Sequence, residues 1–148
     1  MSNIAKGFVE LVLLGPDGEI KQIECAKNLV VNGGLAEIAL GIRTSPSAKW
    51  CGMGTGTTAV SASQTALVTE ISTRTTPTGA TLVTTTTTND TTNFPFSFPA
   101  GTATGALTEA GIFSASTVGT MFARVVFPVI NKAAADTLLL TWKVQMQP

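Results

Sequence analysis

Groups able to do chemistry are few in this sequence, and their spacing points away from catalysis. The chain has no histidine, so it lacks the commonest general base, the usual partner of a serine or cysteine nucleophile and the commonest zinc ligand. Two carboxylates could form a glycosidase pair, but no local feature selects any two of them. They are Glu10, Asp17, Glu19, Glu24, Glu37, Glu70, Asp90, Glu109 and Asp136. We therefore expect no enzyme activity and assign no catalytic residue.

The glycine-rich segment Gly52-x-Gly54-x-Gly56-Thr57-Thr58 invites comparison with phosphate-binding loops. It lacks the lysine and the spacing of a P-loop, and its third glycine comes too early for a dinucleotide-binding turn. Glycine is also needed where a strand leaves the sheet through a tight bend. We interpret the glycines as a backbone requirement, and we expect neither a cofactor nor a small-molecule substrate.

Cys25 and Cys51 are the only cysteines, and they lie far apart in apolar, strand-like contexts. Two distant cysteines without histidine do not make a closed zinc site, so we expect no metal. A chain long enough to build its own core does not need a disulfide framework. Both residues are therefore predicted to be buried free thiols.

Charge is scarce and balanced. Charged residues make up 12% of the 148 residues and the net charge is zero, against roughly 25% charged residues in typical domains. There is no basic stripe for nucleic acid and no apolar run long enough for a membrane span. A surface of hydroxyls and amides is less costly to desolvate than an ionic one. This favours a surface that neighbouring subunits cover, with a neutral soluble monomer as the alternative.

Turn residues and apolar patterns divide the chain into short strands. The strands are predicted at 8–14, 19–26, 49–53, 79–88, 91–98, 107–114, 120–129 and 138–146, with 28–32 as a short strand or connector. Apolar residues at helical spacing predict one short α-helix near 34–42. Residues 59–71 are predicted to be a loop with a short helical turn.

This pattern predicts one all-β domain over residues 1–148, a β-sandwich or jelly-roll-like fold, with 1–7 as a possible extended arm. Phe94, Phe96 and Phe98 alternate, so their rings face one side, either in the core or on an aromatic contact surface. Pro95 and Pro128 lack amide donors, which confines their strands to an edge or a bulge.

Several motifs resemble those of small structural proteins of tailed bacteriophages. They are the segments KNLVVNGGL (27–35), MGTGTT (53–58) and SASQTAL (61–67), then Glu70, Ile71 and Arg74, LTEAGIF (107–113), TMFAR (120–124), Asn131-Lys132 and Asp136-Thr137. The resemblance covers about 28–147. It implies a virion protein of the capsid or tail, and it implies no catalytic residue.

The resemblance and the composition together lead to three hypotheses. The first is a capsid cement or decoration protein that bridges major capsid subunits, made in the host cytoplasm without a signal peptide and located on the capsid surface. Its partners would be the major capsid protein and copies of itself. The second is a tail, collar or fibre-attachment component, and the third a carbohydrate-binding β-sandwich. The candidate interface residues are Ile4, Lys6, Thr55, Thr57, Thr58, Thr85, Thr87, Asn89, Phe94 and Phe96.

Overall fold

The computed structural model describes residues 5–31, 50–85, 88 and 91–146. These residues form eight strands and no helix, and every strand pair is antiparallel, so the predicted all-β class is confirmed for this part of the chain. The strands are β1 (Ala5–Leu14), β2 (Ile20–Val30), β3 (Trp50–Gly54), β4 (Thr81–Val83), β5 (Thr91–Phe98), β6 (Gly105–Phe113), β7 (Met121–Lys132) and β8 (Thr137–Met146). The described residues include no helix that is long and apolar enough to cross a membrane.

The hairpin of β1 and β2 forms at the turn that the sequence predicts. Gly18 has a φ of 80°, a left-handed conformation that glycine adopts without strain, and its N–H donates to the Gly15 carbonyl at 3.0 Å. β2 then extends beyond the predicted return strand and includes residues 28–30. This extra length lets β2 pair with β1 along most of its course and with β7 at its end.

All eight strands belong to one sheet with the order β3-β6-β7-β2-β1-β8-β5-β4. β2 joins the two halves of this sheet, because residues 20–28 pair with β1, whereas Leu29 and Val30 pair with β7. The predicted separation into the two sheets of a sandwich or jelly roll is therefore not confirmed, since the hydrogen-bonded order is continuous from one edge strand to the other.

Two short connections show that this sheet curls over on itself. Asp136 N–H donates to the Ala133 carbonyl in the turn between β7 and β8, although β2 and β1 lie between those two strands in the sheet. In a flat sheet these strands would be about 14 Å apart, whereas the ends of a closed turn lie within about 7 Å. Gly101, in the connection from β5 to β6, donates to the Ala134 carbonyl at 2.7 Å. Both connections therefore cross between the two halves of the curled sheet at the same end of the molecule.

The core lies inside this curl and takes side chains from both halves of the sheet. Leu11 of β1 and Leu140 of β8 belong to the same buried cluster as Ile112 of β6 and Val125 of β7. The alternation predicted for the last strand is confirmed over 138–144, where the even-numbered side chains are buried and the odd-numbered ones are exposed or half-buried.

The aromatic row of β5 belongs to the core. Phe96 and Phe98 are buried, and Phe94 is half-buried against the same cluster. An aromatic contact surface is therefore the wrong interpretation for Phe96 and Phe98. Pro95 lies beyond β4, which pairs only with residues 91–93, and its carbonyl accepts the Thr78 N–H at 2.7 Å, so the missing amide donor lies where the regular ladder with β4 has ended.

Several other expectations need correction. Residues 59–71 form a loop with one turn, in which Gln64 N–H donates to the Ser61 carbonyl at 3.1 Å, and without the predicted helical segment. The threonine-rich strand is only Thr81–Val83, because β4 has partners only along residues 91–93 of β5. Residues 5–7 belong to β1 and not to an arm. The predicted helix near 34–42 lies outside the described residues.

The two cysteines have different environments. Both are free, as predicted, but Cys51 is buried whereas Cys25 is exposed. Cys25 lies on β2 opposite Glu10, on the outer side of the sheet, so the prediction that it is buried is wrong. Burial, with a smaller contribution from the charge of Glu70, raises the pKa of the Cys51 thiol.

Candidate functional site

The glycine-rich segment leaves β3 beside the carboxylate of Glu109 on β6. A side chain at Gly54 or Gly56 would collide with this carboxylate, which explains both glycines as positions of close approach. Gly56 N–H donates to Glu109 Oε1 at 3.0 Å. The loop therefore presents its amide to an anion, as a phosphate-binding loop does, but the anion is a side chain of the same protein.

Glu109 is fully buried and collects donors from three separate places. Its Oε1 also accepts the Thr69 N–H at 2.7 Å, and its Oε2 accepts the Val68 N–H at 3.1 Å. The third contribution comes from β7, where Arg124 Nε donates to Oε2 at 2.8 Å. The carboxylate thus supplies hydrogen-bond acceptors to backbone amides of the long loop after β3, as the carbonyls of a neighbouring strand do in a sheet.

Arg124 is also fully buried and ties down the other arm of this loop. Its Nη1 donates to the Thr58 carbonyl at 2.9 Å and to Gln64 Oε1 at 3.1 Å. Its Nη2 lies 2.8 Å from Glu109 Oε2, at ion-pair distance but without the alignment of a hydrogen bond. The guanidinium therefore connects the loop, the carboxylate and β7.

These contacts decide the protonation of Glu109. Burial by itself raises the pKa of the carboxyl, but hydrogen bonds from the backbone of Thr69 and Val68, from Arg124 and from Gly56 outweigh it and hold the pKa below its ordinary value. The group is therefore a stable carboxylate, with its oxygens occupied by donors. It has the features of a structural ion and not of a general acid or base.

The rest of the loop covers the outer side of β3 and β6. Thr75 exchanges two backbone hydrogen bonds with Cys51 of β3, at 2.8 and 2.9 Å. The Arg74 guanidinium lies 3.4 Å from the ring centre of Phe113, and it pairs with Glu70 at 2.7 Å. Leu67 packs beside Phe113 in a second buried cluster. We call this outer side, beneath residues 55–75, the covered face.

The outer side of the other half of the sheet has no such cover among the described residues. The exposed fractions of its side chains are 61% for Ile20, 56% for Ile23, 41% for Phe8 and 40% for Leu139. The strand register places Val12 between Ile23 and Leu139, and Leu14 opposite Ile20. We call this apolar surface, made by Phe8, Val12, Leu14, Ile20, Ile23 and Leu139, the open face.

Charged groups lie at the two ends of the open face. At one end Phe8 lies between Lys27 and Lys143 in the register, and Lys143 Nζ is 5.0 Å from the centre of the Phe8 ring. At the other end the exposed turn after β1 carries Asp17 and Glu19. The open face therefore has lysines at one end and acidic residues at the other, and Glu10, between Cys25 and Thr141 in the register, interrupts the apolar groups between Phe8 and Val12.

A further group of charges closes the end where the connections cross. Asp136 is buried, and its carboxylate accepts from Lys21 Nζ at 2.9 and 3.1 Å. The hydrogen bond from Lys21 is the main reason why the pKa of Asp136 lies below its ordinary value. Buried Lys132 donates to the Pro99 carbonyl at 3.2 Å, and burial lowers its pKa although Asp136 opposes the shift. These bonds tie the β7–β8 turn to β2 and to the end of β5.

The structure does not gather the predicted interface residues into one surface. Thr57 and Thr58 are exposed and Thr55 is half-buried, all on the glycine-rich segment. Thr85 is exposed, and its hydroxyl is 2.7 Å from that of Thr91. Phe94 is half-buried and Phe96 is buried, so Phe96 has no surface for a partner. Ile4, Thr87, Asn89 and the side chain of Lys6 lie outside what the structure describes.

Sequence reasoning missed the open face, although a signal was present. Residues 11–14 are apolar without interruption, and a half-buried strand should alternate. Such a run means that both sides of the strand carry apolar groups. The imperfect alternation of 19–26 has a physical cause as well, because the register shifts beside Leu14 and returns Ile20 to the outer side.

Few features of the described residues suit metal binding or carbohydrate binding. No group of histidine, cysteine or carboxylate side chains able to hold a metal ion occurs among them. Trp142 is completely buried, so it cannot be a stacking platform for a sugar, and Trp50 is half-buried against the second cluster. Comparison with protein-family models, with curated proteins and with solved structures finds no match to the chain. The resemblance to tailed-phage proteins therefore stays a prediction.

Proposed function

We propose that this protein is a structural protein of a bacteriophage virion, a capsid cement or decoration protein that bridges major capsid subunits. The observation that carries the proposal is the open face. The chain uses its own loop to cover one outer side of the sheet and leaves aliphatic side chains of the other outer side in water. Exposed apolar patches of this kind mark contact surfaces.

The remaining surface supports the same role. Threonines that the sequence marks as contact residues, including Thr57, Thr58 and Thr85, are exposed on loops at the rim of the fold. Hydroxyl groups lose their water at lower cost than ions do, and they form hydrogen bonds with either donors or acceptors of a partner. We assign the contacts with the major capsid protein to these threonine-rich loops.

The mechanism is added buried contact between neighbouring capsid subunits and involves no chemical step. An interface of roughly 1,600 Å² in total is enough for specific attachment. Many copies on one head multiply the effect, so each copy needs only moderate affinity. We further propose that the curled sheet is a variant of the β-sandwich in which β2 passes from one layer to the other.

The protein content of purified phage particles, measured after separation of heads from tails, tests this proposal. We expect the protein in the head fraction at a copy number close to that of the major capsid protein. Its absence from both fractions overturns the proposal.

The same measurement decides the alternative role. A tail, collar or fibre-attachment protein uses the same kind of contact surface, but it occurs in a few copies and in the tail fraction. Finding the protein only in tails overturns the capsid role and supports this alternative.

A further inference from the structure

The loop between β6 and β7 carries a valine with two unfavourable features. Val118 has a φ of 57°, in the left-handed region, where a branched side chain collides with its own backbone. It is also 87% exposed, more than any other large hydrophobic residue in the described part of the chain. Strain of this kind persists only where surrounding contacts impose it, and it is concentrated at functional sites.

Ala103 shows how burial inside the chain can offset such a backbone. It is the other non-glycine residue with a positive φ among residues that the structure describes, at 47°. Its side chain is 7% exposed and belongs to the core cluster, so burial offsets the strain. Val118 has no comparable burial. Asparagine would fit the same backbone at lower cost and would also suit an exposed position.

The loop is closed so that residue 118 keeps this conformation. The Ser114 N–H donates to the Thr120 carbonyl at 3.0 Å, and the Thr120 N–H donates to Ser114 Oγ at 2.9 Å. Gly119 continues the left-handed turn with a φ of 69°, and a side chain there would lie 2.9 Å from atoms of Ala115 and Ser114. We call residues 115–119 the tip.

Arg74 of the covering loop holds the tip through its backbone. Its Nη1 donates to the Val118 carbonyl at 2.7 Å and to the Ala115 carbonyl at 3.1 Å. Its Nε and Nη2 donate to the Glu70 carboxylate at 2.7 and 3.0 Å, and the guanidinium lies over the Phe113 ring. The Arg74 side chain is only 9% exposed. A buried, fully engaged arginine therefore fixes the carbonyls of the tip and leaves the Val118 side chain in water.

We propose that Val118 is a contact residue that inserts into an apolar pocket of a partner protein, and that Arg74 is the residue that positions it. The proposal rests on the proposed function, which makes the major capsid protein this partner. A preformed tip loses little conformational freedom on binding, so the contact retains more of its free energy. The strain at Val118 is offset when the pocket covers its side chain.

The composition of the loop identifies the chemistry of the pocket. Residues 114–123 include no charged side chain, and Ser116 and Thr117 lie exposed beside Val118. The pocket should therefore be apolar inside, sized for one valine side chain, and rimmed by uncharged hydrogen-bonding groups. A lipid surface suits this loop poorly, because residues 114–120 offer one large aliphatic group and neither an aromatic nor a basic residue.

Cosedimentation of the purified full chain with phage heads assembled without it tests the proposal. We expect Val118→Asn to raise the Kd for heads about 20-fold, because burial of a valine is worth between one and two powers of ten in affinity. The same substitution should raise Tm by about 2–4 °C, since asparagine relieves the strain. A merely structural valine would not give a more stable chain that binds more weakly.

Two further variants separate the apolar contact from the strain. Val118→Thr keeps the branched shape, so it should leave Tm unchanged and still raise Kd about tenfold, because a hydroxyl enters the apolar pocket. Val129→Asn is the matched control, since Val129 is 45% exposed near the opposite end of the same hairpin and has no positive φ. It should neither raise Tm nor change Kd.

A double-mutant cycle tests the positioning role of Arg74. Lysine cannot hold two carbonyls and a carboxylate at once, so Arg74→Lys should raise Kd about fivefold in the wild-type chain. It should change Kd less than about twofold in the Val118→Asn chain, where the side chain that it positions is already gone. Equal losses in both backgrounds would show that Arg74 does not act through Val118.

The outcomes distinguish this proposal from the capsid role. Heads that bind wild type and Val118→Asn equally overturn the contact at Val118 and leave the capsid role standing. Heads that do not bind the wild type overturn both. An unchanged or lower Tm for Val118→Asn overturns the strained tip whatever the heads bind. Vesicles of phosphatidylcholine and phosphatidylglycerol should not bind the chain, and binding that Val118→Asn weakens would overturn the assignment to a protein pocket.

Discussion

The covered face and the open face are outer sides of the same sheet, yet the chain treats them differently. The covered face has buried ions at its centre, Glu109 and Arg124, and a loop of small and polar residues lies over it. The open face has aliphatic groups at its centre, and no described segment of the chain lies over it. On the covered face the described chain itself supplies the cover, and on the open face the described residues leave the apolar groups exposed.

The difference explains why a charge is buried on only one of these two faces. The loop over residues 55–75 has few apolar anchors, with Leu67 as its buried one, so hydrophobic burial holds it weakly. Its amides at 56, 68 and 69 instead bind one carboxylate, and hydrogen bonds to charged groups are stronger than neutral ones. The aliphatic groups on the open face need no hydrogen bonds to a charged group, because contact with a second apolar surface is enough to bury them.

Breaking the buried pair should give the largest effect. We expect Glu109→Gln to lower the free energy of unfolding by about 3–5 kcal/mol, because it leaves the Arg124 charge buried without a counterion. Urea unfolding measures this value. Glu24→Gln is the matched control, since Glu24 is half-buried on β2 with one side-chain hydrogen bond, from Gln22, and it should change stability by at most about 0.5 kcal/mol. Equal effects of the two substitutions would contradict the role of Glu109.

Acid should remove the contribution of ionised Glu109 to the free energy of unfolding. The pKa of Glu109 is lower in the folded chain than its ordinary value of 4.5, so as pH falls the unfolded chain takes up the proton first. The stabilisation from Glu109 is complete above the unfolded value and is lost as pH falls through the folded value. The difference in unfolding free energy between wild type and Glu109→Gln should therefore be constant near neutral pH and shrink below about pH 4.5.

The comparison with Glu109→Gln is needed because another carboxyl also titrates. Asp136 has a lowered pKa too and makes the wild type sensitive to acid. Its contribution is the same in both proteins and cancels in the difference. A difference that does not depend on pH would mean that Glu109 is not the ionised group that holds the loop.

Local pattern was enough to predict most strands but not their neighbours. The bounds of β5 agree with the predicted 91–98, and the alternation of β8 is visible in the sequence, because both depend on adjacent residues. The pairing of β3 with β6, or of β2 with β7, joins segments far apart in the chain, and no local pattern encodes it. The sheet order and its curl follow from these distant pairings.

The same limit applies to the buried ions. Glu109 is in the list of carboxylates, but nothing nearby in the sequence distinguishes it. Its donors are at positions 56, 68, 69 and 124, and only the folded sheet brings them together.

Truncating one leucine on each face compares them directly. Leu67 is 8% exposed under the loop, whereas Leu139 is 40% exposed on the open face. We expect Leu67→Ala to cost about 2–3 kcal/mol of unfolding free energy and Leu139→Ala at most about 0.5 kcal/mol. Urea unfolding should be done at a chain concentration low enough to keep the protein monomeric. A larger effect at Leu139 than at Leu67 would show that the open face is covered within a single chain.

The two cysteines give the smallest and most local comparison. Cys25 on the outer side of β2 should be alkylated rapidly, whereas Cys51 should react slowly, because it is buried and its raised pKa leaves little thiolate. Mass spectrometry of the native chain should therefore show one modification first. Rapid modification of both thiols at equal rates would contradict the burial of Cys51 in the core.

The second modification then measures how the core opens. The Cys51 side chain belongs to the core cluster inside the curl, and only its backbone is hydrogen-bonded to Thr75 of the loop, so its thiol should become accessible when β3 separates from the core. We expect its alkylation rate to follow the urea dependence of global unfolding. Glu109→Gln should speed the alkylation of Cys51 in proportion to the loss of unfolding free energy and leave Cys25 unchanged. A rate for Cys51 that depends only weakly on urea would mean that β3 opens locally while the rest of the sheet stays folded.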